Sequence, residues 1–239
     1  MMSLKRTGAL AAFFLAPVFW AVGQSSGTAD TETSVEESYL QESVDVMIIR
    51  EQSRSGSREM KLAALEYIGN AIEEGKAGED IQGALEYMAM EGILNKTHEN
   101  GRLTNNFPDV RTKAAAYLGD LGTVEAKDTL IKMTLVETEP MVLTEAIKSL
   151  GKIGMNEENE TTNTISWIVA RFDTLNPDNL LALSALDTFE IIAEKNGGLR
   201  DAATLRAIMR IGEGPYIKAV QDRAKQLLAT LRKYSAQNR

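Results

Sequence analysis

The chain has one histidine, His98, in LNKTHENGRLTNNF, and no cysteine. A cysteine–histidine catalytic pair and a cysteine or multi-histidine zinc site are therefore excluded. A serine nucleophile with His98 as base is conceivable, but the sequence lacks the G-x-S-x-G elbow that would present it. His98 reads as a solvated loop residue. Neither G-x-x-x-x-G-K-[ST] nor G-x-G-x-x-G occurs between a strand and a helix, and no strand is predicted to supply that setting. Glu157, Glu158 and Glu160 could hold calcium loosely, yet they lack the alternating D-x-[DN]-x-[DN]-G ligand order and read as a hydrated turn. Asn95-Lys96-Thr97 and Asn159-Glu160-Thr161 fit the glycosylation sequon, which matters only in a eukaryotic secretory pathway. No catalytic residue, metal ligand or cofactor is expected.

With so little that could do covalent chemistry, the elements themselves carry the reading. At 239 residues, 44% apolar and only 6% aromatic, with five prolines, the chain can bury a core and favours helices. Lys5 and Arg6 precede an apolar run from Gly8 to Trp20, and Ala21-Val22-Gly23 follows as a small-residue cleavage pattern. That is the form of a secretory signal peptide, and the run is shorter than the ~20 residues of a membrane span. The expectation is a signal peptide over 1–23, a flexible linker over 24–35, a helical domain over 36–233 and a basic tail over 234–239, exported to a periplasmic or secreted location. Losing Lys5 and Arg6 from the 26 basic residues leaves 24 against 34 acids, a net charge of −10. Such a chain is poorly suited to nonspecific nucleic-acid binding.

The stretch PDVRTKAAAYLGDLG, residues 108 to 122, places Val110, Ala114, Leu118 and Leu121 on one helical face, with Pro108 at the first helical position. Thirty-two residues on, Pro140, Val142, Ala146, Leu150, Gly151, Ile153 and Gly154 repeat the pattern. Weaker copies fall at Met60, Ala64, Ile68 and Gly69; at Pro177, Leu181, Ala185, Phe189 and Ile192; and at Pro215, Val220, Ala224, Leu228 and Leu231. An amphipathic helix precedes each copy, at roughly 36–52, 79–93, 124–137, 162–174 and 199–212. The template P-x-V-R-x-x-A-x-x-x-L-G-x-L-G resembles the HEAT family, especially its short form named for phycobilisome lyases. The resemblance implies an all-α fold, an α-solenoid of about five helical hairpins that binds proteins. The sequence departs from the pattern in its uneven spacings, in Leu143 replacing the arginine seen at Arg111, and in Phe107 and Glu139 where a capping Asp is usual; Asn176 reads as a good cap.

One hairpin cannot bury its apolar faces alone, so neighbours must stack into a continuous core and leave a long inner groove. Aligning the copies sets Lys113 beside Glu145, Ser184 and Arg223; Ala116 beside Lys148, Asp187 and Gln226; and Asp120 beside Lys152, Ile191 and Thr230. Lys113, Asp120, Glu145, Lys148, Lys152, Asp187 and Arg223 are the partner-binding candidates. Their mixed signs suit a protein partner rather than nucleic acid, which would want a basic stripe. The loop 94–107, with Lys96, His98 and Arg102, reads as a surface insertion, and Trp167 as packing between helices. Residues 30–51 hold seven acids and one arginine, whereas residues 215–239 hold six bases and only Asp222. That asymmetry allows self-association, and it allows membrane contact only through an uncleaved N-terminus or the basic tail.

The expected function is a noncatalytic scaffold or assembly factor in the extracytoplasmic cell envelope. The alternatives are a lyase-like accessory subunit related to phycobilisome lyases and a structural filament subunit.

Overall fold

A computed structural model of the protein describes residues 35–199 and 201–237. The expected signal peptide and nearly all of the expected linker lie outside the described residues. Ten α-helices follow in order: α1 Val35–Arg54, α2 Arg58–Glu73, α3 Glu79–Ala89, α4 Pro108–Leu121, α5 Val124–Val136, α6 Pro140–Ile153, α7 Glu160–Leu175, α8 Asn179–Asn196, α9 Ala202–Glu213 and α10 Lys218–Gln237. They pair into five hairpins, α1 with α2 through α9 with α10. The odd-numbered helices form one layer and the even-numbered helices the other. At the centre of the stack α4, α6 and α8 of the even layer pack more closely on one another than the odd helices beside them, and the even layer is termed the inner one.

The template face is the core. Val110, Ala114 and Leu118 are fully buried, as are Val142, Ala146, Leu150, Ala185 and Phe189. Each large apolar side chain among these contributes roughly 1.5–3 kcal/mol on burial. One apolar cluster runs unbroken from Ile49 in α1 to Leu231 in α10. Close stacking of the inner layer depends on missing side chains: a Cβ on Gly119 would lie 2.7 Å from the Cβ of Ser149, and one on Gly151 would lie 2.9 Å from Thr188 Oγ1. Gly122 and Gly154 end α4 and α6 in the left-handed conformation, with φ of 68° and 74°.

Pro108 and Pro140 occupy the first turn of their helices as expected. Pro177 and Pro215 do not. They fall in the connections before α8 and α10, and α8 is capped by Asp178, whose carboxylate accepts from Leu181 N at 2.8 Å. Asn176 instead closes α7. Met60 departs from the template as well: it is exposed, where its counterpart Val110 is fully buried. The expectation of no strands fails in the loop 94–107, where His98–Glu99 and Arg102–Leu103 form a two-stranded antiparallel hairpin, β1 and β2. Asn100 and Gly101 turn it with positive φ at both residues, as Asn-Gly turns do.

Candidate protein-binding surface

The inner surface is built from the even-numbered helices, and a charged side chain links each of the four adjacent pairs. Arg58 on α2 pairs with Asp109 on α4 at 2.6 Å, and Asp120 on α4 pairs with Lys152 on α6. Lys195 on α8 donates to the carbonyls of Lys152 and Ile153 at the end of α6, at 2.9 and 3.2 Å, where a cation also suits the helix dipole. Arg223 on α10 pairs with Asp187 at 2.8 Å and with Glu190, both on α8. Hydrogen bonding to Glu190, with Asp187 adding to it, raises the Arg223 guanidinium above the ordinary arginine range.

Six of the seven residues expected to meet a partner are thus brought together with one another. Asp120 meets Lys152, Asp187 meets Arg223, and Lys148 approaches Glu145 one turn earlier at 3.7 Å. The seventh, Lys113, is exposed on α4 and has no ion-pair partner among the described residues.

Beside this surface, at the start of the even helices, a shallow cleft of about 500 Å³ is lined by Arg58, Pro108, Asp109, Thr112, Pro140 and Met141. Met141 is 73% exposed, and Leu180, at the matching place on α8, is 54% exposed. Ile217, just before α10, is also exposed. Met141 and Leu180 hold the same place on successive inner helices, and Ile217 lies beside Leu180 through its N–H to Asn179 Oδ1 at 2.9 Å, so the three mark an apolar edge. Sequence reasoning passed over it because these residues lie off the template face; their signal is an apolar residue in the first helical turn or just ahead of it.

A second set of charges is buried and was also missed. Arg111 is fully buried and pairs with Glu137 at 2.6 Å, while donating to Glu91 O and Asn106 Oδ1, both at 2.9 Å. Fifty residues earlier, at the same template place, Lys61 pairs with Glu91 at 3.0 Å and donates to Ser53 O at 2.6 Å. Arg171 on α7 continues the series by donating to Glu137 O at 2.6 Å. Burial holds its guanidinium below the ordinary arginine range, against the pull of Glu137. Glu91 and Glu137, at the ends of α3 and α5, thus each receive one cation at the carboxylate and another at the carbonyl. Glu91 also accepts from Asn105 Nδ2 at 2.8 Å, which ties the β1–β2 loop to the ladder.

The remaining marked residues take clear places. His98 is exposed in β1, and Lys96 and Arg102 are exposed on the same loop. Glu157 and Glu160 converge on the buried Lys127, at 3.5 and 3.0 Å. The hydrogen bond from Lys127 to Glu160 raises its ammonium above the ordinary lysine range. Trp167 is exposed rather than packed between helices, with Arg171 stacked 4.9 Å from its ring centre. No cluster of ligating residues is found among the described residues, and no described helix is long and apolar enough to cross a membrane.

Residues 101–186, from the β1–β2 loop to the middle of α8, match the family model for HEAT repeats. Over that segment, a little over a third of the chain, the sequence is similar to HEAT repeats. HEAT repeats generally mediate protein–protein interaction, and the matched segment includes both strong copies of the template. No curated protein matches the chain.

Proposed function

We propose that this HEAT-repeat chain is a noncatalytic scaffold or assembly factor that binds a folded protein along its inner surface, outside the cytoplasm. The observation that carries the reading is the apolar edge of Met141, Leu180 and Ile217 beside a surface of mixed charge. An interface wants an apolar centre with polar groups around it. The mixed signs then serve register and partner choice more than affinity. Lys113 and Lys148 are the cations freest to meet a partner, because Lys152 and Arg223 are engaged between helices. The 32-residue spacing of the two strong copies supports the short, phycobilisome-lyase type of repeat. The charged and apolar N-terminal run supports export.

Site-specific photo-crosslinking in the native cell tests the reading. A crosslinker at Lys113 or Met141 should capture the same protein, and Met141→Asp should reduce the capture from Lys113 tenfold or more. A crosslinker at Lys132, exposed on α5 of the outer layer, should capture far less. Equal capture from all three positions would remove the inner surface as the binding site.

A further inference from the structure

The inner layer stacks by a repeated contact: a side chain on one even helix sits over a small residue on the helix before it. Tyr117 of α4 sits over Gly69 of α2, Ser149 of α6 over Gly119 of α4, and Thr188 of α8 over Gly151 of α6. In the repeat register both places recur at the ends of the stack, although in α8 the small-residue place is taken by Glu190, which meets Arg223 of α10 instead. The place of Tyr117 is held in α2 by Tyr67, which is 44% exposed with no described helix before it. The place of Gly119 is held in α10 by Ala229, exposed with no described helix after it. Met60 lies two turns from Tyr67 on the same stripe and is 43% exposed, whereas its counterpart Val110 in α4 is fully buried.

The charges around these two faces are opposite. The basic residues of the first hairpin turn toward the second: Arg50 meets Asp80, Arg58 meets Asp109, Lys61 meets Glu91, and Arg54 lies over the ring of Tyr87. Glu66 and Glu73 of α2 are left exposed, whereas Glu59 accepts from Ser57 Oγ at 2.9 Å and Glu74 is occupied by Lys76 at 2.8 Å. At the other end, Lys225 and Arg232 flank Ala229 on α10 and are exposed, while Asp222 is occupied by Lys218 at 3.1 Å.

We infer that the chain assembles head to tail, the fifth hairpin of one copy stacking on the first hairpin of the next and continuing the solenoid. Tyr67 of one copy seats on Ala229 of the other, and Lys225 and Arg232 oppose Glu66 and Glu73. The contact joins two different faces, so it extends as an open line or closes into a ring. It uses the end flanks alone and is independent of the inner-surface reading.

Light scattering of the full chain over a range of concentration, at low and high salt, provides the test. The mass should exceed that of a monomer and fall toward it as salt rises. Ala229→Arg should be monomeric throughout, with unchanged circular dichroism and melting temperature. Lys225→Glu with Arg232→Glu should be monomeric, as should Glu66→Lys with Glu73→Lys, and an equimolar mixture of these two variants should recover assembly. A wild-type chain that stays monomeric under every condition overturns the inference. So does an Ala229→Arg chain that assembles like the wild type, or a mixture that recovers nothing.

Discussion

Arg111 shows how a residue can mark a family and still face away from any partner. Its guanidinium is fully enclosed and satisfied by Glu137, Glu91 O and Asn106, and Glu137 in turn accepts from the N–H groups of Thr138 and Glu139 at 2.8 and 2.9 Å. Removing one member of a buried pair strands the other charge, at a cost of about 3–5 kcal/mol. Arg111→Leu should therefore lose about that much in denaturant unfolding. Arg111→Leu with Glu137→Leu should lose less than the single change, because the stranded carboxylate goes too. The next copy, which carries Leu143 at this place, already does without the pair. Tyr216 supplies a test by pH. Burial, reinforced by Asp173, pushes its phenol up to about 12. Between the ordinary tyrosine value near 10 and about 12 the folded chain holds a proton that the unfolded chain has lost, so stability falls as pH rises through that window. Tyr216→Phe should flatten this fall in an alkaline unfolding series, and one phenolate should be missing from the early part of the wild-type ultraviolet titration.

At the scale of elements, the inner helices are spaced by what their glycines lack. Alanine in place of glycine inside a helix normally gains up to ~1 kcal/mol from propensity. Gly151→Ala should reverse that sign, because its Cβ would fall 2.9 Å from Thr188 Oγ1 and overpacking costs about 1–3 kcal/mol. Adding Thr188→Ala should recover part of the loss in thermal unfolding, short of the wild type because Thr188 also donates to Ile147 O at 3.0 Å. These helices were legible in the sequence because a 3.6-residue apolar period and a terminal glycine are local signals, and α4 and α6 begin and end where that pattern puts them. The starts of α8 and α10 were less so, since Pro177 and Pro215 mark connections as readily as first turns. The β1–β2 hairpin was legible in Asn100-Gly101, a turn signal that the helical repeat overshadowed. The pairing of the surface charges was not legible, because aligning copies shows that Asp120 and Lys152 share a place and says nothing of whether adjacent helices bring them within reach. The apolar edge escaped for a related reason: an exposed methionine has no local signature.

Across the whole molecule, contacts join each hairpin mainly to its neighbours, so stability should follow position in the stack more than the quality of any one helix. The three central inner helices α4, α6 and α8 each have an inner neighbour on both sides, and the apolar core passes through all of them. Within a single copy the outermost helices α1 and α10 are covered on one side only, so the salt-dissociated monomer is the species to follow. Local opening then requires less surface to be exposed at the ends than in the middle. Native-state hydrogen exchange should show the slowest amides in α4, α6 and α8, with α1 and α10 exchanging through smaller openings. The buried ladder tilts this symmetry. Lys61, Glu91, Arg111, Glu137 and Arg171 bind the first four hairpins together through enclosed charges, whereas the fifth is held by Arg223, Arg210 and its apolar face. Opening the fifth hairpin returns partly exposed pairs to water at little cost, while opening the first strands Glu91 inside the protein. Protection should therefore fall off more steeply toward α10 than toward α2. A symmetric profile would show that apolar stacking alone sets the order in which the hairpins open.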